Sequence, residues 1–249
     1  MSHFGVRALA LATIVLHATA GTLAAATFTV NPIQVFLSRR AASALVTLRN
    51  ESVETLRFEL TVFAWSQSPS GEMALEPTRD IVLFPSLLTL KPSEERRVRV
   101  GHVTAPGARE KTYRIFVKEL PPIAGASSGG VRVLTTMGIP VFVRPDKEVA
   151  TASLEALRQR NGRLEFALSN TGTVHFVPRQ IRVRGLAGAS QVFEQAVEGW
   201  YVLASGRRDF SVPLPAGSCN RLSALLVHVE FGSVSLEESL HTPGGACGQ

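Results

Sequence analysis

Cysteine is scarce in this chain, two in 249 residues, which excludes a disulfide-stapled scaffold and an all-cysteine zinc site. Aromatic side chains are few as well, 7% in all with two Trp and two Tyr, so a carbohydrate-binding face of exposed aromatics has little to draw on. Beyond the extreme N-terminus no apolar run approaches the roughly 20 residues of a membrane helix. No segment keeps a 3.6-residue apolar period over three turns, which argues against a helical bundle. Charged residues reach only 18% against 45% hydrophobic, and that balance excludes a disordered tail or a polyelectrolyte. What remains is a globular, strand-rich chain, long enough for one large domain or two ordinary ones.

Catalytic signatures are missing too. Gly125-Ala126-Ser127-Ser128-Gly129 has the spacing of a hydrolase nucleophile elbow, but that device needs a buried strand before the serine and a helix after it. Here Pro121-Pro122 precedes and a β-branched run follows, so a Gly/Ser hairpin loop is the better account. Outside the N-terminal segment, His102, His175, His228 and His241 show no H-E-x-x-H or other ligand spacing, so no metal, no cofactor and no enzymatic activity are expected. The formal charge of +6 is carried in part by scattered pairs, Arg39-Arg40, Arg96-Arg97 and Arg207-Arg208. Nucleic acid needs a continuous basic footprint; separated pairs suit solvated strand edges, which charge protects from unwanted pairing.

The N-terminus reads as an export signal over residues 1–26: Arg7 is its one charged side chain, Ala8 to Leu16 are apolar, and Ala24-Ala25-Ala26 fits signal peptidase. The expected destination is the periplasm. Period-two patterning then dominates, in Phe28 to Pro32, Ala44 to Arg49, Phe58 to Ala64, Ile81 to Phe84, Arg97 to Val100 and Tyr113 to Lys118. Val131 to Val143 is unusually long for one strand. Leu164 to Leu168, Val174 to Val177, Gln180 to Arg184, Arg208 to Val212 and Leu222 to Phe231 continue the style. Turn clusters at Ser68 to Gly71, Lys91 to Ser93, Ala105 to Gly107 and Gly125 to Gly130 separate the runs of the first half, which predicts an all-β fold of sandwiches. Arg144-Pro145-Asp146-Lys147 is the natural boundary, giving domains over 27–145 and 146–249. Cys219 and Cys247 both fall in the second; in an oxidising compartment a disulfide would tie down the tail for about 3 kcal/mol, and two unpaired thiols are the alternative.

Tyr113-Arg114-Ile115-Phe116-Val117-Lys118-Glu119-Leu120-Pro121-Pro122, followed after a loop by Val131 through Met137-Gly138-Ile139-Pro140-Val141-Phe142-Val143-Arg144-Pro145, resembles the F1–G1 hairpin of the periplasmic pilus-assembly chaperones of the chaperone–usher pathway. Pro85 to Leu90 with Pro92, Asn170 to Phe176 and Glu230-Phe231-Gly232 extend the likeness along nearly the whole chain. The resemblance implies two immunoglobulin-like β-sandwich domains in a boomerang. It implies, as partners, pilus or fimbrial subunits that lack their last strand, and an outer-membrane usher that receives them. The chaperone's G1 strand completes such a subunit by donor-strand complementation.

The residues suit that role. Val131, Val133, Thr135, Met137 and Ile139 share one face of a strand, and an extended donor satisfies both an open backbone row and an empty apolar groove. The bland alternative is that they fill the chain's own core. An open apolar edge also invites self-association. The family's lysine before the Arg-Pro segment is replaced by Pro140, and its arginine near Asn31 to Gln34 is missing, which suggests a divergent, archaic branch. A hairpin centred near Ala126 would set Pro140 opposite about residue 112, so Arg114 is the first candidate for the carboxylate anchor and Arg99 the second. The resemblance further implies an interdomain ion network of Glu119, Arg144 and Glu230. A structural pilin or adhesin is the rival reading; it calls for an incomplete sandwich.

Overall fold

The computed structural model describes residues 27–122, 132–219 and 221–242. The export segment, Ser127, Val131 and Cys247 lie outside the described residues. Strands follow in the order β1 (Phe28–Asn31), β2 (Val35–Leu37), β3 (Ser43–Asn50), β4 (Leu56–Gln67), β5 (Met73–Pro77), β6 (Ile81–Phe84), β7 (Leu87–Leu90), β8 (Glu95–His102), β9 (Lys111–Leu120) and β10 (Thr136–Val143). The second half holds β11 (Ala152–Arg160), β12 (Arg163–Asn170), β13 (Gln180–Ala187), β14 (Ser190–Val197), β15 (Arg207–Pro213), the single helical turn α1 (Ala216–Cys219), β16 (Ala224–Phe231) and β17 (Val234–His241).

The first ten strands form two sheets, β1-β3-β8-β6 and β2-β10-β9-β4-β5, with β7 also on β4. Alternation does the work expected of it: Val46, Leu48, Val98 and Val100 face Phe58, Leu60, Ile115, Val117, Ile139 and Val141 in one buried cluster. The second half repeats the plan with β11-β12-β15 against β14-β13-β16-β17, around Leu164, Phe166, Val183, Val227 and Phe231. The fold is thus a pair of β-sandwiches, each with its own core.

Four expectations shift. The run from Val131 joins the ladder as a strand only at Thr136. Val174 to Val177 is irregular apart from one bridge, Phe176 to Val202. Strands β2, β5, β7, β11, β14 and β17 lie where the pattern showed none, and one helical turn precedes β16. Among the described residues the second domain holds seven strands, three in one sheet and four in the other, so the incomplete sandwich of the rival reading is not found among them.

A third, smaller cluster joins the halves. Trp65 and Phe142 come from the first domain, Tyr201 and Leu203 from the second, and all four are buried. His175 stacks on Phe142 at 3.7 Å between ring centroids, and Phe36 stacks on the same ring at 5.5 Å. Such apolar and aromatic burial is what holds two separate cores in one relative position.

Candidate functional site

Strand β10 carries the first part of the site. It pairs with β9 over its whole length, Thr136 opposite Lys118 through Val143 opposite Lys111. On its other side β2 covers only Val141 to Val143, in parallel. Among the described residues, Thr136 to Pro140 therefore present one unpaired backbone edge. Ahead of that edge, Val133 and Leu134 are 62% and 40% exposed, and Thr135 is exposed too. Glu119, with no exposed side-chain surface, holds this lead-in: its carboxylate accepts from the Thr135 N–H at 3.2 Å and pairs with Arg132 at 3.4 Å. The Glu119 N–H donates in turn to the Thr135 carbonyl at 2.9 Å.

One expectation needs correction here. Ile139 is fully buried in the first domain's core, and half-buried Met137 packs against that core. Those two side chains serve their own sandwich, which was the bland alternative. Val133 and Thr135 remain outward, joined by Leu134.

Arg114 forms the second part. It lies directly opposite Pro140, two positions from the register expected. Its side chain crosses Gly138, where a Cβ would stand 3.0 Å from Arg114 Nε, so the glycine is what leaves the guanidinium its room. The guanidinium rests over the Trp65 ring at 5.0 Å. Nε and Nη1 are buried without a hydrogen-bond partner, and so is Trp65 Nε1. Burial pushes the Arg114 pKa down, and proximity to Tyr201 opposes that in part. Buried donors with nothing to bond to are costly, about 1–3 kcal/mol each, and mark a place where an acceptor belongs. Arg99 is not brought here. It sits on β8 in the opposite sheet, exposed, with Nη1 donating to Ser43 Oγ at 3.3 Å.

The expected ion network of Glu119, Arg144 and Glu230 does not assemble. Glu119 faces Thr135 whereas Arg144 follows Val143, nine residues along the chain and roughly 30 Å away at strand rise. Arg144 instead covers the Phe36 ring at 4.1 Å and pairs with Glu148 at 3.5 Å. Glu230 bonds its strand neighbour His228 at 2.9 Å.

The contacts that do cross between domains are others. Glu110 accepts from the His175 N–H at 2.8 Å and meets His175 Nδ1 at 2.6 Å, while its own N–H donates to the Thr173 carbonyl at 2.8 Å. Gln34 Nε2 donates to the Tyr201 hydroxyl at 2.6 Å. The Asp209 N–H donates to the Pro69 carbonyl at 2.8 Å, docking the β4–β5 turn on β15, and Arg208 fills the space a side chain at Gly71 would take. Glu110, Gln34, Trp65 and Tyr201 were not singled out by the sequence, and His175 stood in a family-like segment with no interdomain role assigned to it. The one signal for them was scarcity: both Trp65 and Tyr201 belong to residue types the chain uses twice.

Cys219 is disulfide-bonded. Among the described residues no three His, Cys, Asp or Glu side chains gather as a metal site. No helix among them is long and apolar enough to cross a membrane.

Comparison with known proteins supplies the context. Residues 27–148 match the family model described as pili and flagellar-assembly chaperone, PapD N-terminal domain. No curated protein sequence matches the chain. Among solved structures, the chain is similar to one from the CsuC–CsuE chaperone–tip adhesion subunit pre-assembly complex of the archaic chaperone–usher Csu pili of Acinetobacter baumannii, with 19% identity, 86% of this chain and 98% of that one covered, and a TM-score of 0.61. It is similar to the class 5 fimbriae chaperone CfaA, at 14% identity, 87% and 100% coverage and a TM-score of 0.59. A complex of the Salmonella enterica SafA pilin with the SafB chaperone also matches, at 14% identity, 86% and 97% coverage and a TM-score of 0.55. At these identities the likeness is one of fold, and it spans both sandwiches.

Proposed function

We propose, from the match of residues 27–148 to the family model of pili and flagellar-assembly chaperones, that the chain is a non-enzymatic periplasmic chaperone that lends the run leading into β10 and the open part of β10 to pilus subunits and passes them to an outer-membrane usher. The observation that carries this reading is the half-covered strand: one unpaired edge from Thr136 to Pro140, led by exposed Val133 and Leu134. A subunit short of one strand exposes a row of backbone groups and a groove of core side chains. The open edge answers the first by hydrogen bonds, and alternate exposed side chains, Val133 with Thr135 on one face or Leu134 on the other, answer the second. Val133 and Leu134 each contribute about 1.5–3 kcal/mol on full burial.

Arg114 sets the register. A subunit strand laid along β10 ends where a carboxylate meets the half-buried guanidinium, whose planar fork donates to it bidentately. Backbone pairing alone tolerates slips of two residues; a fixed terminus does not.

Co-expression with the subunit of the same pilus tests both parts. Val133→Asp is expected to abolish recovery of a soluble complex while the chaperone itself stays folded. Arg114→Ala is expected to reduce the yield of complex at least tenfold. Wild-type yields from both variants would refute the donor-strand reading.

A further inference from the structure

The cleft around Arg114 holds more donors than Arg114 itself. Trp65 is the common wall: the guanidinium covers its ring at 5.0 Å, and the Tyr201 ring meets it edge-on at 5.4 Å and 82°. Tyr201 is 8% exposed. Its oxygen already accepts from Gln34 Nε2 at 2.6 Å, so the phenol proton is left to donate. Arg114 Nε, Arg114 Nη1 and Trp65 Nε1 are buried and unpartnered beside it. The Arg114, Trp65 and Tyr201 groups are all donors, the Glu110 carboxylate is engaged by His175, and no carboxylate forms an ion pair with Arg114 among the described residues.

From this geometry we infer that Tyr201, oriented by Gln34, is the second ligand of the carboxylate that Arg114 binds, so that one terminal carboxylate of a bound chain bridges the two domains. The inference rests on the reading of Arg114 as the anchor and deepens it. A carboxylate has two oxygens and about four acceptor sites; a bidentate guanidinium uses two and leaves room for a phenol. Hydrogen bonds of about 2.8 Å on either side let one carboxylate span roughly 7 Å between donors, and Arg114 and Tyr201 both pack on the same indole, with Tyr201 close enough to act on the Arg114 charge. The two donors come from different sandwiches, Arg114 on β9 and Tyr201 after β14. An occupied anchor therefore ties the domains together as well as fixing the strand. Gln34 holds the phenol oxygen from the first domain, so the pair is already set before any ligand arrives.

The test uses the purified protein and two small probes, N-acetylglycine as a minimal chain terminus and N-acetylglycinamide as its uncharged twin. Binding is read from the indole N–H resonance of Trp65, assigned against Trp200→Phe. The acid is expected to shift that resonance saturably and the amide to leave it in place. Tyr201→Phe keeps the ring and its packing, and is expected to weaken the acid about tenfold, in line with the loss of a hydrogen bond to a charged group. Gln34→Ala is expected to weaken it about threefold. Arg114→Ala is expected to abolish the shift. If Tyr201→Phe binds the acid as the wild type does while Arg114→Ala does not, Tyr201 is no ligand and the anchor reading stands alone. If the wild type treats acid and amide alike, or responds to neither, both readings fall.

Discussion

The two sandwiches share a corner and differ at their edges. At the end of β3, Asn50 is fully buried: its amide donates to the carbonyls of Glu54 and Leu90 at 2.7 and 3.0 Å, and its oxygen accepts from the Ser52 N–H at 2.8 Å. At the end of β12, Asn170 donates to Val174 and Val202 at 2.9 and 3.0 Å and accepts from the Gly172 N–H at 2.9 Å. The offsets of two and four residues are the same, and each asparagine nails a turn to a distant segment. The edges diverge. The second domain's outer strands carry Glu155, Arg158 and Arg160 on β11, Glu194 on β14, and Glu237 and Glu238 on β17, charges that discourage pairing with another chain. From Val133 to Val143 the first domain's partly open strand has no charged residue at all. One sandwich carries charge along its outer strands, and the other leaves an uncharged, partly unpaired edge, the feature on which the proposed donor role rests.

That contrast is sharpest between β10 and the run that leads into it. Ile139→Asp puts a charge into the first domain's core and is expected to cost about 4 kcal/mol or more, unfolding that domain. Val133→Asp, on the same chain six residues earlier, is expected to leave the urea midpoint unchanged. Equal losses of stability would erase the division between a buried strand and its exposed lead-in. The shared corner gives the next largest effect. Asn50→Ala and Asn170→Ala each strand buried carbonyls, at about 2–4 kcal/mol. Hydrogen exchange resolved by segment is expected to show lost protection in β3 and β7 for the first and in β12 for the second. If either variant loosens both domains alike, the sandwiches unfold as one unit and the comparison between them loses its meaning.

How much of this was legible follows from what a one-dimensional pattern records. The β9–β10 hairpin was readable because alternation and loop length fix a register, and the estimate missed by two residues: Pro140 faces Arg114 where about residue 112 was expected. Strand β11 was not readable. Its ladder shifts between Glu155 and Arg158, with Ala156 at φ 55°, and the bulge breaks the alternation that would have shown it. Strand β17 is an edge with two exposed glutamates in succession, so half its signal is gone. The joint was invisible for another reason: Trp65 and Tyr201 lie more than 130 positions apart, and nothing in either local pattern announces the other. The ion network failed because matching residues were carried over without their ladder positions, and Glu119 and Arg144 sit at opposite ends of one hairpin.

The joint also offers the smallest of the expected effects, and one that separates two explanations of how the domains are held. Glu110 has no exposed side-chain surface and receives both the His175 N–H and Nδ1 across the domain boundary. Glu110→Ala leaves those groups buried with no acceptor, so a loss of about 1–3 kcal/mol is expected, together with a broader spread of domain angles in small-angle scattering. Glu230 is the control. The hydrogen bond from His228 holds its carboxyl below the usual range, with Arg182 and Arg179 adding to that; any support it gives is present at neutral pH and fades as pH falls through the lowered value. Its partner is two residues away on the same strand, however, and no part of that contact reaches the first domain. Glu230→Ala is therefore expected to change neither the melting temperature nor the scattering curve. A scattering change in Glu230→Ala with none in Glu110→Ala would return the hinge to surface charges, whereas the reverse ties it to the packed contact of Phe142, His175 and Glu110, where burial makes each missing acceptor count.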